Sequence, residues 1–475
     1  MTTGHNLWDV EVWQFILTMT ILFGSMMLAN ILRNTIKPIR QFMIPSSVLG
    51  GFLLLGVSFC LKRFASVELF ETATLETITY HGLGLGFVAL ALRRTEKKDI
   101  RTGRGGGFDA GVTVVATYLI QAVVGMIITL LCYKWIGSFF ASGLLLPMGY
   151  GQGPGQAYNW GSNFEKIYGF TSGTSFGLTV AAMGFISASI GGIFYLNRLR
   201  KKHLLKGEIG RDVKDASLTA EQITGENEIP LSESMDKFTV QLSLVFIAYV
   251  CGYLFMRGVD LLIEKGYLGN FGVNTVRPLI WGFNFLIGTI FALILKGILN
   301  KLRKANVIKR DYVNNFMLNR ISGFMFDLMV VASIAAVDLS AFTNREFIIP
   351  LTLICVAGAV VTYFFLDRVC KTVYRDIRHE AFLSLYGMAT GTASTGLILL
   401  REVDEKFESR AATNLVYHQP WAIVFGFPMM LMMSFAPQSI TNTLITLGVC
   451  TVLFVAMLLI NFRYEVFKKY KNKKK

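Results

Sequence analysis

The sequence predicts an all-α polytopic membrane protein built as two inverted five-helix repeats with re-entrant hairpins, plus an extra C-terminal transmembrane helix. Three observations carry this. The 475-residue chain is 53% hydrophobic and only 16% charged, with a mean hydropathy of +0.50, more apolar surface than one water-soluble core can hide. Uncharged apolar runs of about 17 to 25 residues recur along it, the length a helix needs to cross roughly 30 Å of hydrocarbon. Finally, a polar segment at 198–237 separates two stretches of similar plan.

The expected spans lie near 12–33, 44–62, 77–92, 110–133 and 172–197 in the first half. Those of the second lie near 238–256, 277–298, 315–337, 346–367 and 418–437, with an eleventh at 440–462. Asp9 and Glu11 precede the first run and Arg33, Lys37 and Arg40 follow it, without the basic start or cleavage site of a signal peptide. With the N-terminus outside, 37 Lys and Arg fall in cytoplasmic segments and 8 in external ones, leaving Arg320 within a span. The positive-inside rule thus places the C-terminus, with its seven basic residues in FRYEVFKKYKNKKK, in the cytoplasm. The domains expected are 1–197, the cytoplasmic linker 198–237, 238–437, and 438–475 for the extra span and basic tail. Five crossings before the linker invert the second half relative to the first, as in inverted-repeat transporters.

A net charge of +15 would suggest nucleic acid in a soluble protein, but the basic residues here sit at the ends of apolar runs, so they set membrane orientation. The six cysteines fall in or beside apolar segments with no CxxC or metal spacing and read as small core residues. A membrane-embedded enzyme would show a catalytic grouping. The chain contains no HExxH, GxSxG or P-loop and few histidines, so no enzyme is expected.

Two inserts carry the functional signal. The first, 138–170, has an apolar part, Phe139 to Met148, too short to cross. It continues through Gly149, Gly151, Gly153, Pro154 and Gly155, a composition expected to unwind helix. Gln152, Gln156, Tyr158 and Asn159 would be poor lipid-facing residues, and non-helical backbone at membrane depth survives only inside protein or beside water. An ordinary external loop is the alternative. The second insert, 380–406, is span-length but broken by Gly387, Thr390, Gly391, Thr392, Ser394, Thr395 and Gly396. Hydroxyl and freed carbonyl oxygens suit an alkali cation, and half-helix N-termini offer positive dipole ends to an anion. Close helix packing also uses Gly, Ser and Thr. One insert enters from outside and the other from inside, so their tips can meet near the midplane.

That meeting point is the expected site. Gln152, Gly153, Pro154, Gly155, Gln156, Asn159, Thr392, Ser394 and Thr395 are candidates for binding solute, and Thr390, Gly391, Thr392 and Asp327 for binding a cation. Arg320 and Asp327, seven residues apart on one face of the eighth span, are intramembrane charges and hence functional candidates, Asp327 being the deeper. Arg320 is also placed to snorkel to the cytoplasmic edge. Asp338 and Glu346 are expected at the outer boundary in water, and His81 as a structural or interfacial histidine.

Three segments resemble the bacterial sodium/glutamate symporter family: IPSSVLGGFLLL (44–55), GYGQGPGQAYNWG (149–161) with YGF (168–170), and GTASTG (391–396). In plan the resemblance extends over 12–437; the close motif matches occupy a few dozen positions. It implies paired re-entrant hairpins, a homodimer in the bacterial inner membrane, and elevator-like movement of the hairpin-bearing part. It also implies Na+-coupled symport of a small anionic or zwitterionic solute, an amino acid such as glutamate or a carboxylate, with no organic cofactor. Where the family carries Gly-His-Gly-Thr, this chain has Gln152 at the histidine and Pro154 at the threonine position; where it carries Gly-Ala-Thr-Pro-Thr, this chain has Gly391, Thr392, Ala393, Ser394 and Thr395. The hydroxyls remain and the proline does not. The eleventh span lies outside the family's ten-span plan. A channel built from the same broken helices is the rival expectation.

Overall fold

The computed structural model describes residues 6–94, 105–204, 236–308, 310–405 and 409–463. Among them all regular structure is helical, and eleven helices are long and apolar enough to cross a bilayer. The first half supplies α1 (Val10–Thr35), α2 (Ser46–Ala65), α3 (Thr72–Leu92) and α4 (Gly107–Ile136), then a broken pair, α5 (Leu145–Gly151) and α6 (Pro154–Tyr168), and α7 (Gly173–Lys201). The second supplies α8 (Lys237–Glu264), α9 (Asn284–Lys304), α10 (Asn315–Ala335) and α11 (Arg345–Thr372). A second broken pair follows, α12 (Arg378–Thr390) and α13 (Ala393–Arg401), then α14 (Arg410–Tyr417), α15 (Gln419–Phe435) and α16 (Ile440–Asn461). The chain is a polytopic membrane protein. All eleven expected spans exist, and in both halves the broken pair follows the fourth long helix. Most of the linker, 205–235, and the basic tail, 464–475, lie outside the described residues.

One span begins later than expected. The run from 277 is divided by a break at Phe283, and the long helix starts at Asn284, whose side chain accepts from the Phe285 amide at 2.7 Å and so offers that backbone donor a local partner. The first insert is also more helical than its glycines predict. Gly149 and Gly151 lie inside α5. They are needed for close approach: a Cβ on Gly149 would sit 2.8 Å from the Ala181 amide nitrogen, and one on Gly151 would sit 2.1 Å from the Tyr118 ring. Pro154 is tolerated because it opens α6, where a missing N–H costs nothing.

The chain forms two compact units: Met1–Ile78, Thr102–Gly210 and Val330–Lys475 in the first, Thr79–Arg101 and Arg211–Met329 in the second. Both broken pairs belong to the first. Within it α1 and α2 pack closely, Gly50 standing against the backbone of Met26, while Phe15, Ile16, Met27 and Ile31 of α1 are exposed, as lipid contact allows. The N-terminal end of α4 is tied to the C-terminal end of α16 by Thr113 donating to Asn461 Oδ1 at 3.1 Å, and to Arg463 just beyond it by an ion pair from Nη2 to buried Asp109 Oδ1 at 2.6 Å. The second unit has an aliphatic core of Val88, Ala89, Leu92, Val245, Ala248, Ala292, Leu318 and Ile321. Lys296 Nζ donates to the carbonyls of Ala91 (2.7 Å) and Arg93 (2.9 Å), and Asp311 pairs with Arg94 and with Arg303 at 3.0 Å.

Candidate functional site

The break in the first pair is two residues long. Gln152 ends α5, its amide donating to the Pro147 carbonyl at 3.2 Å, and Gly153 turns the chain at φ +85°, a conformation open chiefly to glycine. Helix α6 then starts at Pro154. In the second pair α12 ends at Thr390, Gly391 leaves the helix at φ −139°, ψ −106°, Thr392 is extended, and α13 starts at Ala393. Thr392 caps α13, its Oγ1 accepting from the Thr395 amide at 3.4 Å and lying 3.3 Å from Thr395 Oγ1. The arms of this pair close on one another through Gly387 and Gly396, where a Cβ on Gly387 would fall 2.7 Å from the Gly396 Cα. The small residues of the second insert thus divide their work: two glycines pack, and the hydroxyls sit at the break.

The two breaks meet. A Cβ placed on Gly153 would lie 3.6 Å from Thr392 Cγ2 and 4.0 Å from the Gly391 carbonyl oxygen. Each pair therefore brings one helix C-terminus and one helix N-terminus to the same place, with partial charges of both signs. Carbonyls released by the breaks are taken up by α4: Tyr118 Oη donates to the Gly151 carbonyl at 2.8 Å, and Gln121 Nε2 donates to the Ala389 carbonyl at 2.9 Å. Gln121 Nε2 also donates to Thr362 Oγ1 on α11 at 2.9 Å, and Tyr150 Oη donates to the Cys355 carbonyl at 2.7 Å. Helix α7 approaches at Gly184, where a Cβ would lie 2.3 Å from the Thr390 carbonyl oxygen. Tyr118 and Gln121, Gly184, and Cys355 and Thr362 all lie in the middle third of their long helices. The 30-residue α4 is about 45 Å long.

Several polar atoms at the junction are buried with no hydrogen-bond partner among the described residues: Gln152 Nε2, Gln156 Nε2 and Gln121 Oε1. Gln156 is 1% exposed, and its Oε1 accepts from Trp160 Nε1 at 3.2 Å. Native interiors seldom leave such groups unmatched, since each costs roughly 1 to 3 kcal/mol. A polar molecule or water taken up there would satisfy them.

Of the expected site residues, Gln152, Gly153, Pro154, Gly155, Gln156 and Asn159 lie in or just after the first break. Thr390, Gly391, Thr392, Ser394 and Thr395 lie in or beside the second. Asn159, Thr390 and Thr395 are buried, whereas Ser394 is exposed. Thr390 Oγ1 donates back to the Tyr386 carbonyl at 2.7 Å. Asp327 belongs to the second unit and is exposed. Arg320 is also exposed, its guanidinium 5.2 Å from the Phe316 ring centroid. Asp338 is exposed and caps a short turn through the Ser340 amide at 2.9 Å, Glu346 is exposed, and His81 Nδ1 meets Tyr249 Oη at 2.9 Å, all in keeping with structural or solvated roles. Sequence reasoning missed Tyr118 and Gln121. The available signal was a polar amide, Gln121, in the middle of an uncharged apolar run.

Among the described residues no three His, Cys, Asp or Glu side chains gather in a metal-binding group. The oxygen donors at the second break, the Thr392 and Thr395 hydroxyls and the Gly391 carbonyl, are the hard, neutral kind that an alkali cation takes. Comparison of the sequence with family models and with curated proteins gives no match.

Proposed function

We propose that this protein is a secondary active transporter of the bacterial inner membrane. In this reading it binds a small zwitterionic or anionic solute where the two helix breaks meet and couples its movement to Na+. One observation carries the reading: Gly153 stands against Thr392 and Gly391, midway along the flanking helices, with unmatched amide atoms of Gln121, Gln152 and Gln156 buried beside it. A solute crossing lipid must exchange its hydration shell for fixed dipoles, and unwound backbone sheltered by protein supplies them. Gln152 and Gln156 are assigned to the solute. The hydroxyls of Thr392 and Thr395 with the Gly391 carbonyl are assigned to the cation. Asp327, in the other compact unit, is dropped from this set.

Both breaks belong to one compact unit, as a carrier that moves its site as a body requires. The resemblance to the sodium/glutamate symporters adds elevator-like movement and a homodimer to the proposal. An outside N-terminus and a cytoplasmic C-terminus follow from the basic residues.

The test is uptake by purified protein in proteoliposomes, using labelled amino and dicarboxylic acids under an imposed sodium, potassium or proton gradient. The expected result is accumulation above the equilibrium level, driven by sodium and reduced in Gln152→Ala and Thr392→Ala variants that still insert in the membrane. Flux that stops at equilibrium would make the protein a channel. Normal uptake by both variants would remove the site from the junction.

A further inference from the structure

The electrostatics of the junction narrow the solute further, on the reading that it is the transport site. Every helix that builds it can be followed outward to its nearest formal charge. On α4 the nearest to Tyr118 and Gln121 is Asp109, nine residues before Tyr118. On α6 the first after Gly153 is Glu165, twelve residues on; on α7 the first after Gly184 is Arg198, fourteen residues on. On α12 the nearest to Thr390 is Glu380, and on α13 the nearest to Thr392 is Arg401, nine residues on. Nine residues of helix are about 13 Å. On α11 Asp367 follows Thr362 by five residues, but its carboxylate is held by Lys371 and by Arg378 at 3.2 Å. Glu76 of α3 reaches toward α6, accepting from Tyr158 Oη at 3.2 Å. The nearest charges along these helices are thus of both signs and stand off from the junction: Asp109 is paired with Arg463, Asp367 with Lys371 and Arg378, Arg368 beside it is exposed, and every other lysine and arginine on these helices lies more than two turns away.

What the junction does offer comes in complementary halves. The N-termini of α6 and α13 and the unmatched Gln152 Nε2 and Gln156 Nε2 are donors, and the unmatched Gln121 Oε1 and the C-termini of α5 and α12 are acceptors. Helix ends carry about half a charge each. They match a molecule that holds a carboxylate and an ammonium on neighbouring atoms. A second carboxylate would enter with no cation to meet it, and a buried charge without a partner is among the costliest groups a protein can hold.

We infer that the solute is a zwitterionic amino acid with an uncharged side chain, and that acidic amino acids and dicarboxylates are excluded. The α-carboxylate lies at the helix N-termini, the ammonium at the C-termini and Gln121 Oε1, and the side chain meets the Gln152 and Gln156 amides.

The experiment compares close pairs in the same proteoliposomes: labelled glutamine against glutamate, asparagine against aspartate, and alanine, lysine and succinate as single probes. Each is measured with sodium and with choline replacing it, and binding to detergent-purified protein is followed in parallel by thermal shift. The expected outcome is at least tenfold greater uptake and a larger thermal shift for the neutral member of each pair, in both salts where signal is present. Glutamate or aspartate taken up as well as its amide, or lysine preferred over all, overturns the inference while leaving the transport reading intact. Thermal shifts that favour the neutral members without any uptake support the inference and reject transport. No shift and no uptake for any probe rejects both. A Gln156→Glu variant sharpens the result: if Gln156 faces the solute, neutral uptake falls at least tenfold in protein that still inserts in the membrane, and the thermal shift given by glutamine is lost; unchanged uptake and shift take Gln156 out of the site.

Discussion

The two broken helix pairs share a plan but differ in how firmly they are held. In the first, ten of the fifteen residues of α6 are buried, and its backbone touches α7 without intervening side chains. A Cβ on Gly161 would lie 2.4 Å from the Gly173 carbonyl oxygen, and one on Gly177 only 2.2 Å from that of Ala157. In the second, the incoming arm α12 is equally embedded, with ten of thirteen residues buried, while α13 buries four of nine. Few buried contacts mean a low cost of local opening. On the proposed transport reading, the first pair would serve as the fixed donor surface and α13, capped by Thr392, as the freer arm.

The largest effect should come from separating α6 from α7. Gly177→Val places two methyl groups where a carbonyl already stands, and overpacking a tight interior costs about 1 to 3 kcal/mol or more. We expect a marked fall in melting midpoint and the loss of uptake. Gly426→Ala is the control, since a Cβ there would lie 3.8 Å from Val115 Cγ2, an ordinary contact. A Gly177→Val protein as stable as the control would show that the first pair is not held as tightly as its geometry implies.

Next comes the bridge between α4 and the second break. Gln121→Leu keeps the bulk but deprives the Ala389 carbonyl and Thr362 of their donor, a loss of roughly 1 to 3 kcal/mol for a buried acceptor. Stability measured by thermal melting should fall by that order, with uptake reduced. Gln121→Glu retains shape yet brings a carboxylate to the same carbonyl, and should be worse than Leu in uptake. Equal behaviour of both variants and the parent would sever α4 from the break.

Most of this architecture was legible in the sequence. Eleven apolar runs gave eleven helices, because hydrocarbon fixes both length and composition of a span. The two breaks were legible from Gly153 with Pro154 and from Gly391 with the threonines, since local backbone preference acts there directly. Gly149 and Gly151 misled for a related reason. A glycine chosen for close packing and one chosen for unwinding read alike until the neighbour, here Ala181 or the Tyr118 ring, is known. Gln121 was missed because its role depends on a partner carbonyl 268 residues away. Asp327 was singled out on depth alone, as a carboxylate within a span, and the structure places it, exposed, in the other unit.

A smaller effect tests the cap. Thr392→Ala removes the hydroxyl that accepts from the Thr395 amide and should cost about 0.5 to 2 kcal/mol. Thr392→Ser preserves it and should cost almost nothing in stability. If uptake follows the cap alone, the serine variant transports normally; if the threonine methyl, 3.6 Å from the Gly153 position, also keeps the two tips in register, the serine variant remains stable and transports less.

The smallest structural effect, and the cleanest separation of holding from binding, belongs to Ser394. It is exposed, and its hydroxyl makes no hydrogen bond among the described residues, so Ser394→Ala should shift stability by less than about 0.5 kcal/mol. Thr395, by contrast, is fully buried and joined to Thr392, and its alanine variant should destabilise. A raised KM for Ser394→Ala, roughly fivefold for one lost hydrogen bond of about 1 kcal/mol, would mark a side chain on the freer arm that meets the solute directly. An unchanged KM would confine recognition to the fixed first pair and to the backbone of the second, leaving α13 to open and close without reading what it admits.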